Sequence, residues 1–191
     1  TAPAGVDAAV LNQRPVPPEK RGQTVGVPGE VAGLFELHGR FGKLPWKDVV
    51  LRAARLAEQG FATEPHTAEQ VAEQAAQHPQ GLPQTSPGFR SVYLPGNAAA
   101  KLGQRLYAKK LAKTLARIAA EGKRGLYEGA TAADLVRTVK SAGGALALSD
   151  LSGYQPVVRE PLSVTWAGKQ VLTMPPPSAG CLLLAQVLSL F

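Results

Sequence analysis

Five basic side chains recur at every fourth position and are the first candidates for chemistry. They are Lys101, Arg105, Lys109, Lys113 and Arg117. The surrounding segment, 101–140, holds ten basic and three acidic residues, which accounts for the whole net charge of +7. On one continuous helix these cations would form a basic stripe suited to phosphate groups. Gly103 interrupts the run, no aromatic ladder accompanies it, and a four-residue spacing drifts around a helix. The pattern favours a solvated helix face, with binding of nucleic acid or an anionic surface as the alternative.

Three other residues are candidate nucleophiles. Thr1 is a terminal threonine, whose α-amine could activate its own hydroxyl, but residues 2–5 offer no recognisable oxyanion donors. Ser178 lacks a G-x-S-x-G elbow, so its default role is to cap a helix. Cys181 is the single cysteine, which excludes an internal disulfide, and its apolar neighbours predict a buried, inert thiol.

The histidines give no support for a metal site. His38, His66 and His78 lie far apart, without an H-E-x-x-H motif or paired cysteines. The glycine-rich stretch GVPGEVAG, which begins at Gly26, matches neither of the common phosphate-binding loops. The residues themselves therefore predict no catalytic residue, no cofactor-binding residue, no cofactor and no metal ligand.

Periodic apolar positions predict that most of the chain is helical. The predicted helices cover 28–39, 45–60, 64–78, 108–121 and 131–142. The strongest is 45–60, where Pro45 suits the first turn and Gly60 the end. Thr131 and Asp134 are spaced like a capping box at the start of the last of these helices.

Near the end of the chain, the period of the sequence pattern changes to two residues, which is typical of strands. The stretch LSVTWAGKQVLTM, 162–174, predicts a hairpin that turns at Ala167 and Gly168. A rigid run of three prolines, 175–177, follows and leads through Ser178 into an apolar helix. The fold class is therefore α+β, mostly helical with a small C-terminal β element.

Length and composition favour one globular unit. We predict a single partial domain over 1–191, with an irregular Pro-rich opening segment at 1–24 and a Pro-rich loop at 79–97. The longest apolar run, 181–191, is too short to span a bilayer. The chain opens abruptly on TAPAG and stops in LLLAQVLSLF without a helix-ending residue, so we expect an internal fragment of a longer protein.

Several segments, in order, resemble the gamma-glutamyltranspeptidase family. Residues 25–46, VGVPGEVAGLFELHGRFGKLPW, are similar to V-G-x-P-G-x-V-x-G followed by Y-G-x-L-P-W, with Phe41 in place of the usual Tyr. The further matching segments are LAEQGF at 56–61, LAKTLARIAAEG at 111–122, LYEG at 126–129, GGALALSDLSGY at 143–154, EPL at 160–162 and MPPPSAG at 174–180. Ala147 stands where the family tends to have Thr, and Ala179 and Cys181 depart from its P-P-P-S-S-G-G pattern.

The resemblance implies an N-terminal-nucleophile enzyme with an αββα sandwich, made as one chain that cuts itself into large and small subunits. In that family a Thr exposed at the start of the small subunit attacks the gamma-glutamyl amide of glutathione and related compounds. The acyl group then passes to water or to an amino acid or peptide acceptor. An Arg in an R-E-x-A-P motif holds the glutamate carboxylate.

No catalytic residue carries over to this chain. Thr1, Ala2 and Pro3 match the last three positions of R-E-x-A-P, and the chain contains no T-T-H-like start of a small subunit. The resemblance implies the helical lobe of a large subunit, partnered by the small subunit of the same precursor, with no nucleic acid, in a periplasmic or secreted protein. Related poly-gamma-glutamate-cleaving or acylase-type enzymes remain open alternatives.

Overall fold

The computed structural model describes residues 18–77 and 86–190. Contacts within the chain cluster into two compact units, one up to Gln155 and the other from Pro156 onward. The described part is mostly helical and carries two short antiparallel strand pairs, in agreement with the predicted fold class. No described helix is long and apolar enough to cross a membrane.

Within residues 18–77 and 86–155, the first unit consists of helices with one two-residue strand pair. Its α-helices are α1 (Glu30–Phe41), α2 (Trp46–Gln59), α3 (Pro65–Gln77), α4 (Pro87–Tyr93), α5 (Lys109–Glu121), α6 (Arg124–Tyr127), α7 (Gly129–Ser141) and α8 (Leu148–Ser152), and its strands are β1 (Phe61–Ala62) and β2 (Arg105–Leu106). Short 3-10 helices cover Pro18–Thr24 and Pro95–Asn97.

Helices α2 and α5 pack against each other and confirm the helices predicted over 45–60 and 108–121. Helix α2 begins directly after Pro45, and the N–H of Gly60 closes it by donating to Leu56 O at 3.0 Å. Gly60 has a φ of +87°, which favours glycine. Small buried side chains, Ala57 and Ala112, lie in one cluster between the helices, so the helix backbones can approach closely.

A second cluster forms the main core of this unit. It consists of Ala32, Tyr127, Ala132, Val136, Val139, Leu146 and Leu151. These side chains come from α1, α6, α7, α8 and the segment before α8. The core therefore joins segments that lie about a hundred residues apart in sequence.

The structure differs from the predicted irregular segments in two places. Helix α4 lies inside the stretch 79–97, of which residues 79–85 are outside the described residues. Ser86 caps it, accepting a hydrogen bond from Phe89 N at 3.2 Å, and Pro87 occupies the first turn. The 3-10 helix at Pro18–Thr24 lies within the stretch 1–24, whose first seventeen residues are also not described.

The predicted capping box at Thr131 is wrong. Helix α7 begins at Gly129, with Glu128 at the N-cap. Thr131 instead accepts a hydrogen bond from Arg117, and Asp134 pairs with Arg137 at 2.6 Å. Gly129 has a φ of +64°, which favours glycine. The helix therefore begins two residues before the predicted start at residue 131.

The second unit is a hairpin followed by a helix. Strands β3 (Leu162–Trp166) and β4 (Lys169–Thr173) pair from Leu162 with Thr173 to Trp166 with Lys169. Ala167 and Gly168 form the two-residue turn with positive φ, which confirms the predicted hairpin. Helix α9 (Ala179–Leu188) follows the three prolines.

Candidate functional site

Three of the matching motifs meet at the Tyr127 side chain. The Tyr127 hydroxyl donates to Pro28 O at 2.5 Å and accepts from Ala32 N at 3.1 Å. Its ring stacks on Tyr154, with centroids 5.9 Å apart. Burial raises the pKa of Tyr127, so the phenol stays protonated and keeps its donor. This arrangement, which we call the Tyr127 junction, ties the V-G-x-P-G motif to L-Y-E-G and to the Tyr that ends GGALALSDLSGY.

Glycines allow the same motifs to approach closely. A Cβ on Gly29 would collide with the Tyr154 hydroxyl, and one on Gly144 would collide with Gly22 O. The N–H of Gly22 donates to Ala142 O at 2.7 Å, which fixes the segment before α1 against the end of α7. Gly29 therefore leaves room for the Tyr154 side chain, and Gly144 leaves room for the Gly22 backbone. Nothing at the junction resembles a nucleophile with its base.

The three prolines of the second unit line a cavity that also includes the polar side chains of Arg159 and Ser178. This cavity, of about 510 Å³, is lined by Val157, Arg159, Met174, Pro175, Pro176, Pro177 and Ser178. Ser178 occupies the N-cap position of α9, but its hydroxyl makes no capping bond to the helix amides. The expected side-chain cap is therefore absent, although the helix begins where the sequence predicts.

Ser178 interacts instead with Cys181. Hydrogen bonding by the Ser178 and Thr173 side chains and by the Met174 backbone lowers the pKa of the Cys181 thiol. Cys181 is half-buried rather than buried, so the predicted burial is wrong. The sequence of this unit contains no histidine, and Ser178 has no imidazole base within it.

The five cations that recur at every fourth position are divided among three elements. Lys101 lies in a loop and Arg105 in β2, where its Nη1 donates to Gln59 O at 3.1 Å and Gly60 O at 2.9 Å. Only Lys109, Lys113 and Arg117 lie on α5. The five cations therefore do not form one continuous helical stripe.

The remaining candidates stay apart. His38 Nε2 hydrogen-bonds Leu44 O at 2.8 Å, and its ring packs against Trp46. His66 lies in α3, whereas Thr1 and His78 fall outside the described residues. Within 18–77 and 86–190, no group of three or more His, Cys, Asp or Glu residues could hold a metal ion.

Comparison with known proteins shows which family this chain resembles. The family model for gamma-glutamyltranspeptidase matches residues 1–191. The chain is 35% identical over 167 residues to glutathione hydrolase 3 of Arabidopsis thaliana, which covers 87% of this chain and 25% of that protein. It is 33% identical to the glutathione hydrolase proenzyme of Bacillus subtilis, covering 99% of this chain and 32% of that protein.

Two further similarities are to an acylase precursor and to a solved structure. The acylase ACY 1 proenzyme of a Pseudomonas species is 34% identical, covering 88% of this chain and 29% of that protein. The crystal structure of Helicobacter pylori gamma-glutamyltranspeptidase superposes with a TM-score of 0.82 at 28% identity, covering 98% of this chain and 52% of that one. The chain thus spans about a quarter to a third of the curated relatives it matches.

Proposed function

This chain belongs to the gamma-glutamyltranspeptidase family, and we propose that it is the helical lobe of the large subunit of a gamma-glutamyltransferase or glutathione hydrolase. The complete enzyme would cleave the gamma-glutamyl amide of glutathione and pass the gamma-glutamyl group to water or to an amino acid or peptide. The observation that carries the proposal is the match to the family over all 191 residues, together with the ordered motifs that converge at the Tyr127 junction.

We propose that the reaction takes place at the small subunit of the complete enzyme and not at the described residues. A precursor would cut itself, and the Thr at the start of the new subunit would attack the amide, with its own α-amine as base. The acyl-enzyme would then react with the acceptor in a second step. We assign no catalytic, cofactor-binding or metal-binding role to any described residue, and propose that they hold the scaffold in place.

The small subunit of the same precursor is the proposed partner. Apolar side chains of the second unit that are exposed in this chain support this assignment. They include Leu172 at 59%, Met174 at 65%, Leu183 at 60% and Leu190 at 81% exposure. Exposed apolar patches of this kind are typical of surfaces that another polypeptide covers. We propose a periplasmic or secreted location from the family resemblance.

The 191-residue chain alone should not hydrolyse gamma-glutamyl anilides, because it contains no small-subunit nucleophile. Anilide release by the purified chain should equal the rate without protein. The product of the complete reading frame, assayed in parallel, should release the anilide. Robust turnover by the purified 191-residue chain would contradict the assignment.

An acylase-type enzyme of the same fold is the second candidate, which the similarity to the Pseudomonas acylase proenzyme favours. An enzyme specific for gamma-glutamyl substrates should require their ammonium group, whereas an acylase without that specificity should not. Comparing a gamma-glutamyl anilide with a glutaryl anilide, which lacks that group, on the complete protein distinguishes them. Preference for the glutaryl compound would select the acylase.

A further inference from the structure

An open groove separates α5 from α7. The two helices are joined through α6, and each presents one face to the groove. The face of α5 consists of positions 110, 113, 114 and 117, and that of α7 of positions 131, 134, 135 and 138, so each repeats at the i, i+3, i+4, i+7 spacing of one helix side. The groove has a volume of about 510 Å³, which is the size of a small-ligand or short-peptide site.

The wall formed by α5 is cationic. Lys110, Lys113 and Arg117 follow one another over roughly 10 Å of helix, at 1.5 Å per residue. Lys110 and Lys113 are exposed, and among the described residues neither forms a salt bridge with a carboxylate. Arg117 is held toward the opposite wall by its bond to Thr131. The ammonium groups of Lys110 and Lys113 thus line the groove without an anionic partner, as do the guanidinium nitrogens of Arg117 that do not bond Thr131.

The opposite wall and the floor are mostly neutral. Asp134 is the one acidic residue among those lining the groove, and Arg137 already pairs with it at 2.6 Å. The hydroxyl of Thr138 donates to Asp134 O at 2.8 Å, which leaves its oxygen as an acceptor. Half-buried Leu126 and Leu135 and buried Val139 form the apolar part of the lining. A ligand for this groove needs anionic groups on one side and an apolar or neutral body on the other.

We propose that this groove binds a peptide in solution that carries acidic side chains at alternate positions. In an extended peptide, alternate side chains lie on the same side about 7 Å apart, and two of them fit along the 10 Å cationic wall. The intervening side chains then meet the α7 wall, with its leucine and threonine side chains. This binding is separate from the proposed enzymatic activity and uses no residue of the catalytic machinery.

The groove is poorly suited to nucleic acid. It contains no aromatic side chain on which a base could stack. Its three cations lie on one helix over roughly 10 Å. Duplex DNA presents about one charge per 1.7 Å of its axis, so these cations are too few to pair with the phosphates along that length.

The test measures fluorescence anisotropy of a labelled Glu-Leu-Glu-Leu-Glu peptide with the complete protein at low salt. The double variant Lys110→Gln with Lys113→Gln should weaken binding about five- to tenfold, since each exposed ion pair contributes modestly. The matched control is Lys101→Gln with Lys109→Gln, which removes the same charge from the same basic segment outside the groove lining and should change binding less than twofold. Thermal unfolding of both variants should match the parent protein.

Further probes separate the alternatives. A Gln-Leu-Gln-Leu-Gln peptide should not bind, and inorganic phosphate should not displace the acidic peptide at equal ionic strength. The proposal is overturned if the acidic peptide does not bind, if both double variants weaken it equally, or if an oligonucleotide of equal charge binds more tightly through Lys110 and Lys113. Peptide binding by a protein that has no enzymatic activity would support this proposal independently of the proposed function.

Discussion

Replacing Tyr127 by alanine should lower the free energy of unfolding by about 3–5 kcal/mol, the range for truncating a buried aromatic residue. Tyr127 is only 4% exposed and belongs to the main core cluster. The truncation would remove the ring from its stack with Tyr154 and leave Pro28 O and Ala32 N without their side-chain partner. Urea unfolding of the 191-residue chain, followed by circular dichroism, measures the change.

Two companion variants separate the causes. Tyr127→Phe keeps the ring and removes only the hydroxyl, so it should cost about 1–3 kcal/mol, the penalty for unpaired buried polar groups. Tyr107→Ala, at a side chain that is 47% exposed, should cost much less than Tyr127→Ala. Equal losses at Tyr107 and Tyr127 would show that the junction does not hold the first unit together.

Replacing Gly22 by alanine should be the second large effect, lowering the free energy of unfolding by about 1–3 kcal/mol or more through overpacking. The new Cβ would collide with backbone atoms, among them Val139 O and Gly144 N, which cannot rotate away as a side chain can. The hydrogen bond from Gly22 N to Ala142 O holds these two segments at that distance.

Gly26→Ala is the matched control, because a Cβ at Gly26 would meet no atom within 4 Å. Both glycines lie in the segment before α1, and both substitutions reduce the freedom of the unfolded chain in the same way. Gly26→Ala should therefore be neutral or slightly stabilising in the same urea experiment. A Gly22→Ala chain as stable as the Gly26→Ala chain would refute the close approach.

Local sequence signals predicted the elements whose ends or turns contain proline or glycine. Pro45 and Gly60 bound α2, and Ala167 with Gly168 turn the hairpin, because these residues have restricted or unusual backbone preferences. Helix α4 was not predicted, since seven residues are too few to display an apolar period. The signal that could have revealed it is Ser86 followed by Pro87, an N-cap and a first-turn proline.

The contacts of the motifs could not be predicted in the same way. The bonds of the Tyr127 hydroxyl cross 95 and 99 residues of sequence, and no local pattern specifies such a pairing. Cys181 was expected to be buried because its neighbours are apolar, yet it is half-buried, and its thiol interacts with Ser178 at the start of α9 and Thr173 at the end of β4. Which face of a helix is covered depends on its packing partners, and apolar content alone does not determine it.

The most direct test of the account is the intact mass and N-terminal sequence of the product of the complete reading frame. We expect two chains, the larger containing these 191 residues and the smaller beginning with Thr, because a self-cleaving N-terminal nucleophile requires that new terminus. A product that stays whole, or a second chain that begins with a residue unable to act as a nucleophile, would contradict the account.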